Sequence, residues 1–217
     1  MNVLIGCECS QVVCTEFRKL GHNAFSCDIQ DCYGNHPEWH IKCDVLNVLP
    51  GNLFINTCDG SEYFINHWDL IIIHPPCTYL SKAGANRLIS YVNGVQVINQ
   101  ERYKNMVQAA EFFYSIIDLV SPDTYLCIEN PIPLKIAGLP EPSQHIQPYF
   151  FGDKSVKYTY LWLYNRLPPL MYFSTTRPSN CIPIVNASSK YPGRYNSAKL
   201  RSQTSPGIAR AMALQWG

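Results

Sequence analysis

Short apolar runs alternate with amphipathic segments along most of this chain. The first predicted elements are a strand at 2–6, a helix at 10–21 that ends at Gly21, and a strand at 23–29. The apolar positions of this helix are Val12, Val13, Phe17 and Leu20. Together these elements predict one strand, helix, strand unit at the N-terminus.

The same alternation continues to the end of the sequence. Further strands are predicted at 40–46, 68–73, 124–131 and 158–164, a hairpin at 52–66 with Asp59 and Gly60 in its turn, and helices at 102–120 and 205–216. In the longer helix one face carries Met106, Ala109, Phe113, Ile116 and Val120. The last helix is predicted to have Ser205 as its N-cap and Pro206 at its first position.

Strands that alternate with helices indicate an α/β fold with a mostly parallel sheet covered on both faces. Parallel neighbours need a crossover connection, which is usually a helix. In open sheets of this kind, ligands bind beyond the carboxyl ends of the strands. We therefore expect the functional residues to come directly after the strands.

Polar residues follow the first three predicted strands. The turn "GCECSQ" places Glu8 at the start of a helix, where it can face a nucleoside-like ligand or serve only as an acid near a helix N-terminus. Asp28 closes the second strand and Asp44 the third. An acid after the second strand can accept hydrogen bonds from ribose hydroxyls, although a loop acid that caps local backbone gives the same pattern.

The stretch "WDLIIIHPPCTYLS" ends a buried strand on two prolines and Cys77. The prolines fix two φ angles, so the thiol is presented rigidly. A cysteine nucleophile needs a thiolate, which a positive charge or an adjacent base provides, but a cysteine after a strand is also a common buried apolar residue. Glu129 closes the strand "CIENP", so the thiol and this carboxyl group are expected at one sheet edge.

The charges are unevenly distributed along the chain. Residues 1–153 contain 16 acidic and 8 basic residues, a net charge of −8, whereas the remainder contains 9 basic and no acidic residues. The basic residues are Lys154, Lys157, Arg166, Arg177, Lys190, Arg194, Lys199, Arg201 and Arg210. This segregation is typical of a polyanion-binding segment, and a solvated surface without acids gives the same composition.

The composition suits one globular domain, since 217 residues are 47% hydrophobic. No apolar run reaches the roughly eighteen residues that span a bilayer, and the start "MNVLIGCECSQ" lacks the pattern of a signal peptide. We therefore expect a soluble cytoplasmic protein without a membrane partner, whose ten cysteines are reduced and mostly buried.

The order of the strand-end turn, the acidic second strand, "HPPCTYLS", "IENP" and a late basic strand resembles the cytosine-5 DNA methyltransferases. It more closely resembles the short methyltransferase-like proteins often carried by bacteriophages, over most of the chain from about Val3 to Trp216. The resemblance implies a Rossmann-like class I fold, S-adenosylmethionine as cofactor, and DNA or a cytosine nucleotide as substrate. A phage-encoded protein would act in the host cytoplasm.

The resemblance also implies roles for single residues. Cys77 would attack C6 of cytosine, and Glu129 would hold N3 and the 4-amino group. The cofactor set is Gly6, Glu8, Cys9, Ser10, Asp28, Asp44 and Pro75, with Asp28 on the ribose and Asp44 near the adenine. The substrate set is Pro76, Tyr79, Ser81, Asn130, Lys154, Lys157, Arg194 and Arg201. Covalent addition at C6 is needed because C5 alone is too weak a nucleophile.

The chain departs from the family at two places. The usual glycine-rich first turn is "GCECS", and Lys154 or Lys157 stands where the family has arginines. The expected organisation is a catalytic core at 1–165, a short basic segment at 166–204 in place of a target-recognition domain, and a C-terminal helix at 205–217 that returns to the core. The short segment suffices for backbone contacts and some stacking.

Three other interpretations remain open. "HPPC" is similar to the (D/N/S)PPY turn of amino-methyltransferases, in which His74 would accept a hydrogen bond from the target amine. Cys27, Cys32, His36, His40 and Cys43 fall within 17 residues and are of types that bind zinc. Finally, the fold could capture a nucleotide or DNA without turnover.

Overall fold

A seven-stranded sheet forms the centre of the computed structural model, which describes residues 1–82, 85–184 and 202–217. The strands are β1 (Asn2–Gly6), β2 (Asn23–Asp28), β3 (His40–Lys42), β4 (Leu53–Asn56), β5 (Glu62–Ile65), β6 (Leu70–Ile73), β7 (Ile89–Val92), β8 (Val95–Ile98), β9 (Tyr125–Pro131), β10 (Gln144–Ile146), β11 (Ser155–Val156), β12 (Thr159–Tyr164) and β13 (Ile182–Pro183). The helices are α1 (Val12–Lys19), α2 (Ala85–Leu88), α3 (Gln100–Leu119) and α4 (Pro206–Trp216).

The central sheet has the order β10, β12, β9, β6, β1, β2, β3. Its five strands from β9 to β3 are parallel, and β12 and β10 continue the sheet in antiparallel pairing. The chain moves outward from β1 to β2 and β3 and then crosses to β6 on the other side. This reversal beside β1 is the place where ligands bind in open α/β sheets.

Apolar side chains cover both faces of the sheet. On one face, Val3 and Ile5 of β1 pack with Phe17 of α1 and with Ile208 and Met212 of α4. On the other face the core includes Leu4, Phe25, Ile71, Phe113 and Trp68, from three strands, α3 and the segment before β6. Because successive strand residues point to opposite faces, the short strands must be apolar throughout to fill both layers. The predicted α/β architecture with a mostly parallel sheet is therefore confirmed.

The apolar pattern located most elements correctly, including the β4–β5 hairpin with its turn at Asp59 and Gly60. Helix α3 begins two residues earlier than predicted, because Asn99 caps it by accepting from Arg102 N at 2.9 Å. In α1 the expectation for Leu20 was wrong. Leu20 lies at the C-cap and is 47% exposed, and Cys14 takes the buried position.

The start of α4 confirms the predicted N-cap and first helical position, with one difference in hydrogen bonding. Ser205 is the N-cap residue and Pro206 follows it, but the Ser205 side chain makes no cap hydrogen bond to the helix. Its hydroxyl instead donates to Asp153 Oδ2, which also accepts from Gly207 N at 2.8 Å. Asp153 therefore supplies the negative charge that the helix N-terminus favours.

The cysteines are free thiols, and fewer are buried than predicted. Four are buried, one is exposed and five are partly exposed. Among the helices in the described part of the chain, none combines the length and apolar character needed to cross a bilayer.

Candidate functional site

A cavity of about 660 Å³ opens at the carboxyl ends of β1, β2, β6 and β9. Its volume lies in the ordinary range for small-molecule sites. The predicted site residues that line it are Glu8, Cys9, Ser10, Asp28, Asp44, Pro75, Pro76, Cys77, Tyr79, Glu129 and Lys157. The topology therefore brings the strand-end residues together at one place.

Other predicted site residues do not contribute to the cavity wall. Gly6 is buried in β1, and a side chain there would meet Val45. Ser81 and Asn130 are also buried, whereas Lys154 is exposed. Arg194 and Arg201 lie outside the described residues.

The turn that carries Cys77 is held by hydrogen bonds from three directions. His74 N donates to Gly6 O at 3.0 Å, which attaches the end of β6 to β1. Asn130 Nδ2 donates to Pro75 O at 2.9 Å, and Ser81 N donates to Cys77 O at 3.0 Å. Because the prolines have no N–H of their own, these outside contacts fix where the turn lies. Asn130 therefore helps to position the turn that carries the thiol.

A short, largely buried polar contact in the cavity joins His74 and Glu129. His74 Nδ1 lies 2.8 Å from Glu129 Oε2, and the two side chains are only 11% and 9% exposed. Nε2 of the same imidazole is buried and makes no hydrogen bond. His74 was missing from the predicted catalytic set.

A signal for this pair does exist in the strand register. β6 and β9 are parallel, and Ile73 lies opposite Ile128. One residue further along each strand come His74 and Glu129, so neighbouring positions on one face are expected to meet. The spacing of the two motifs along the chain does not give this register, which is why the pair was not predicted.

The surroundings shift the pKa values of the two candidate catalytic groups, Cys77 and Glu129, in opposite directions. Burial and the negative charge of Glu129 raise the pKa of the Cys77 thiol, against the opposing positive charge of Lys157. Burial alone would raise the pKa of Glu129, but the hydrogen bond with His74 and the charge of Lys157 outweigh it, and the pKa is lowered. The free protein therefore contains a neutral thiol beside an ionised carboxylate.

Glu8 borders the cavity at the start of α1, where it has a structural role. Its carboxylate accepts from Val13 N at 2.8 Å and from Cys14 N at 3.2 Å, and Ser10 Oγ donates to it at 3.3 Å. Burial raises the pKa of Glu8, while the nearby His74 and these N–H groups act to lower it. Of the two roles considered for Glu8, the structure supplies the contacts of a helix cap, and the side chain also borders the cavity.

The two strand-end aspartates also make local contacts. Asp28 accepts from Gln30 N at 2.9 Å, and Asp44 accepts from Leu46 N at 3.0 Å as the cap of a 3-10 helix. Both still border the cavity. Together with burial they raise the pKa of the neighbouring Cys7 thiol to about 12. This end of the cavity is therefore acidic and carries a protonated thiol.

Segments distant in sequence complete the walls. Tyr33 comes from the loop after β2, and Ser202, Gln203 and Thr204 come from the chain before α4. At the Cys77 end, the Arg102 guanidinium lies 5.0 Å above the Tyr79 ring. Arg102 does not itself line the cavity, and of the wall residues named here only Tyr79 was predicted, because long-range folding brings the others to the site.

The five residues considered for zinc do not form a metal site. The sulfurs of Cys27 and Cys43 lie 3.7 Å apart, and their hydrogen bond lowers the pKa of Cys43. His36 stacks on Trp39, and His40 Nδ1 lies 2.9 Å from Ser26 Oγ. The described residues contain no group of three or more His, Cys, Asp or Glu placed to hold a metal ion.

Comparison of the sequence with protein-family models and with curated proteins found no match.

Proposed function

We propose that the protein is a Rossmann-like class I methyltransferase that transfers a methyl group from S-adenosylmethionine to C5 of cytosine in DNA. One observation carries the proposal: the Cys77 thiol and the Glu129 carboxylate border one end of a cavity whose other end is lined by Asp28 and Asp44. A nucleophile and a base-holding acid thus share one space with groups suited to a nucleoside cofactor.

Cys77 is the nucleophile. Its sulfur forms a bond to C6 of the cytosine ring as the C5–C6 double bond opens, which gives C5 the character of an enamine carbon. The thiol proton passes to the ionised His74–Glu129 pair, which borders the same cavity, and Lys157 is a cavity cation that stabilises the thiolate. C5 would then bond to the methyl group that the cofactor supplies. Loss of the C5 proton to solvent would restore the C5–C6 double bond and release the thiolate.

Glu129 orients the base and stabilises the electrons that enter the ring. Its ionised oxygens accept from the 4-amino group of cytosine. N3 of neutral cytosine is also an acceptor, so it pairs with this carboxylate only when a proton is added. The proton released by the Cys77 thiol fills this need, and His74, whose Nδ1 lies 2.8 Å from Oε2, helps to hold it at the carboxylate. We therefore assign His74 and Glu129 as one proton-holding pair.

The cavity residues fit S-adenosylmethionine. Asp28 is placed to accept from ribose hydroxyls, and Asp44 lies on the same side of the cavity. The acidic end also suits the positively charged ammonium and sulfonium groups of this cofactor. Glu8 already fills the N-terminus of α1, so a ligand carboxylate is held elsewhere. When bound, the cofactor supplies an electrophilic methyl group.

DNA is the proposed substrate because basic residues follow Asp153 without any acid. Lys157 lies in the cavity wall and Lys154 is exposed nearby in sequence. Arg210 is directed elsewhere, since its Nε lies 3.9 Å from Glu16 Oε2 on α1. DNA binding through the basic residues should weaken steeply as salt is raised.

The amino-methyltransferase interpretation has less support. In that chemistry the residue before the prolines accepts a hydrogen bond from the target amine. His74 Nδ1 already contacts Glu129, and its Nε2 is buried. The observed pair therefore favours a role in which His74 acts together with Glu129.

The test is denaturing mass spectrometry with S-adenosylmethionine and oligonucleotides that contain 5-fluorocytosine. The fluorine at C5 cannot leave as a proton does, so the covalent product accumulates. We expect a wild-type adduct that carries one added methyl group. Cys77→Ser should form none, and the matched control Cys58→Ser, at an exposed cysteine, should form it normally.

Single strands, duplexes and free 5-fluorodeoxycytidine monophosphate form separate arms of this experiment. An adduct with the nucleotide alone would keep the chemistry and replace DNA as the substrate. An adduct that survives Cys77→Ser would refute the assignment of the nucleophile. Failure in all arms would refute the proposed reaction.

A further inference from the structure

A series of aromatic rings in contact with one another lies on the antiparallel side of the sheet, and its first member, Tyr158, directly follows the cavity residue Lys157. The row runs in order through Tyr158, His145, Phe150, Tyr172, Phe151 and Phe173, and we call these six residues the aromatic row. Successive ring centroids are 6.2, 5.9, 4.5, 5.9 and 5.9 Å apart. These distances are those of rings in direct contact.

The row has a buried base and an exposed surface. Phe150 and Phe151 are 6% and 4% exposed, whereas Tyr158 and Phe173 are 55% and 60% exposed. Tyr158 packs one side against the His145 ring, nearly parallel at 19°, and leaves more than half of its surface open to solvent. A flat ring supported from one side presents a face on which another flat ring can stack.

Hydrogen bonds attach the segment that carries Tyr172 and Phe173 to the rest of the row. Tyr172 donates from its hydroxyl to His145 O at 2.8 Å, which connects two segments 27 residues apart. The backbone N–H of Phe173 donates to Phe150 O at 2.9 Å. The backbone at this end of the row is therefore positioned without a ligand, which lowers the cost of ordering it on binding.

Two lysines lie close in sequence to the first ring of the row. Lys157, directly before Tyr158, borders the cavity, and exposed Lys154 lies three residues earlier. The nearest acid in this part of the sequence, Asp153, is engaged by Ser205 and Gly207. The row thus combines open aromatic faces with cations at the edge of the cavity.

We propose that the aromatic row binds unpaired nucleotides that flank the base in the cavity, so that the preferred nucleic acid is a single strand. Stacking requires open base faces, which a duplex hides, and lysines neutralise phosphates. Lys157 and Tyr158 are consecutive, so their Cα atoms are only about 3.8 Å apart. One strand can therefore reach the cavity and the row together. The flanking role rests on the proposed function, whereas single-strand binding by the row does not.

The test is fluorescence anisotropy with a labelled 15-nucleotide thymidine strand, which contains no cytosine and so avoids the reaction. The double variant Tyr158→Ala/Phe173→Ala should weaken binding at least fivefold for each ring removed. Tyr158→Phe/Phe173→Tyr retains the faces and should bind as wild type. Phe54→Ala/Phe64→Ala removes two equally exposed rings from the β4–β5 hairpin and should also bind as wild type.

Two further arms examine strand preference and charge. A duplex of thymidine with deoxyadenosine should bind more weakly than the single strand at the same salt concentration. Lys154→Gln should reduce the slope of log affinity against log salt by about 0.7, the value for one phosphate contact on a single strand.

Binding unchanged in Tyr158→Ala/Phe173→Ala, equal or tighter binding of the duplex, or absence of single-strand binding would each overturn the proposal. The 5-fluorocytosine experiment separates this result from the proposed function. Adduct formation without single-strand stacking would overturn only the row. Single-strand binding lost in the alanine variant, without any adduct, would support the row and refute the methyltransferase.

Discussion

Replacement of His74 by alanine should destabilise the protein through Glu129. The pair is 2.8 Å apart with both side chains about nine-tenths buried, so its hydrogen bond is largely shielded from water. A hydrogen bond to a charged group contributes about 1.5–3 kcal/mol to the free energy of unfolding. We expect a coupling energy of this size between His74→Ala and Glu129→Gln in a double-mutant cycle at pH 7.5.

The pKa of Glu129 gives the sign of the accompanying pH effect. In the wild type this pKa is lowered, so ionisation of Glu129 contributes stability that is complete above the unfolded value, about 4.3, and is lost as the pH falls through the folded value. His74→Ala removes a lowering contact and leaves burial in place. The pKa of Glu129 should therefore rise, and this contribution should shrink.

The assays are urea unfolding of the four proteins of the cycle and a ¹³C NMR titration of the Glu129 carboxyl group. His67 and Asp69 form the matched control, because they are 2.9 Å apart but 60% and 32% exposed. Their coupling should be below about 1 kcal/mol. His74→Asn, which keeps a donor, should recover part of the coupling. A coupling energy between His74 and Glu129 as small as that of the control pair would refute this account.

Three further predictions concern the cavity. The pH midpoint of Cys77 alkylation by iodoacetamide should fall in Glu129→Gln and rise in Lys157→Met, because the negative charge of Glu129 raises the pKa of the thiol and the positive charge of Lys157 lowers it. Unchanged midpoints would contradict this. Asn130→Ala should lower the free energy of unfolding, measured in urea, by about 1–3 kcal/mol, because the buried carbonyl of Pro75 loses its hydrogen-bond donor. The variant should also form the 5-fluorocytosine adduct more slowly. A normal rate of adduct formation would show that Asn130 does not position the thiol. Glu8→Gln should gain stability relative to wild type as the pH rises from 4 to 7, because the raised pKa of Glu8 makes its ionisation costly in the folded state. A difference in the free energy of unfolding, measured in urea, that does not change with pH would argue against this.

The sequence was sufficient to predict the layers of the fold because short strands that are apolar throughout must be buried on both faces of a sheet. It was less reliable where local signals were short. The β7–β8 hairpin was not predicted, although Asn93 and Gly94 form a typical hairpin turn, with positive φ angles of 52° and 80°. β10 has only three residues and a polar pattern, so periodicity gave no signal for it.

The rule that ligands bind beyond the carboxyl ends of parallel strands located the residues at both ends of the cavity, but it did not predict the role of each residue. Cys77, Glu129, Asp28 and Asp44 all border the predicted place. The use of Glu8 as a helix cap depends on loop geometry that spacing does not encode. Similarly, the walls from Tyr33 and from 202–204 depend on packing between segments far apart in the chain.

The alignment of β6 with β9 has a consequence for how the site tolerates insertions and deletions. Ile73 faces Ile128, and the His74–Glu129 pair depends on that match. A shift of one residue in either strand would turn every following side chain to the opposite face of the sheet. A single-codon deletion within β9 would therefore separate His74 from Glu129, although the gene would still encode both residues. Residue identity alone is thus an incomplete guide to whether a variant of this chain retains its site.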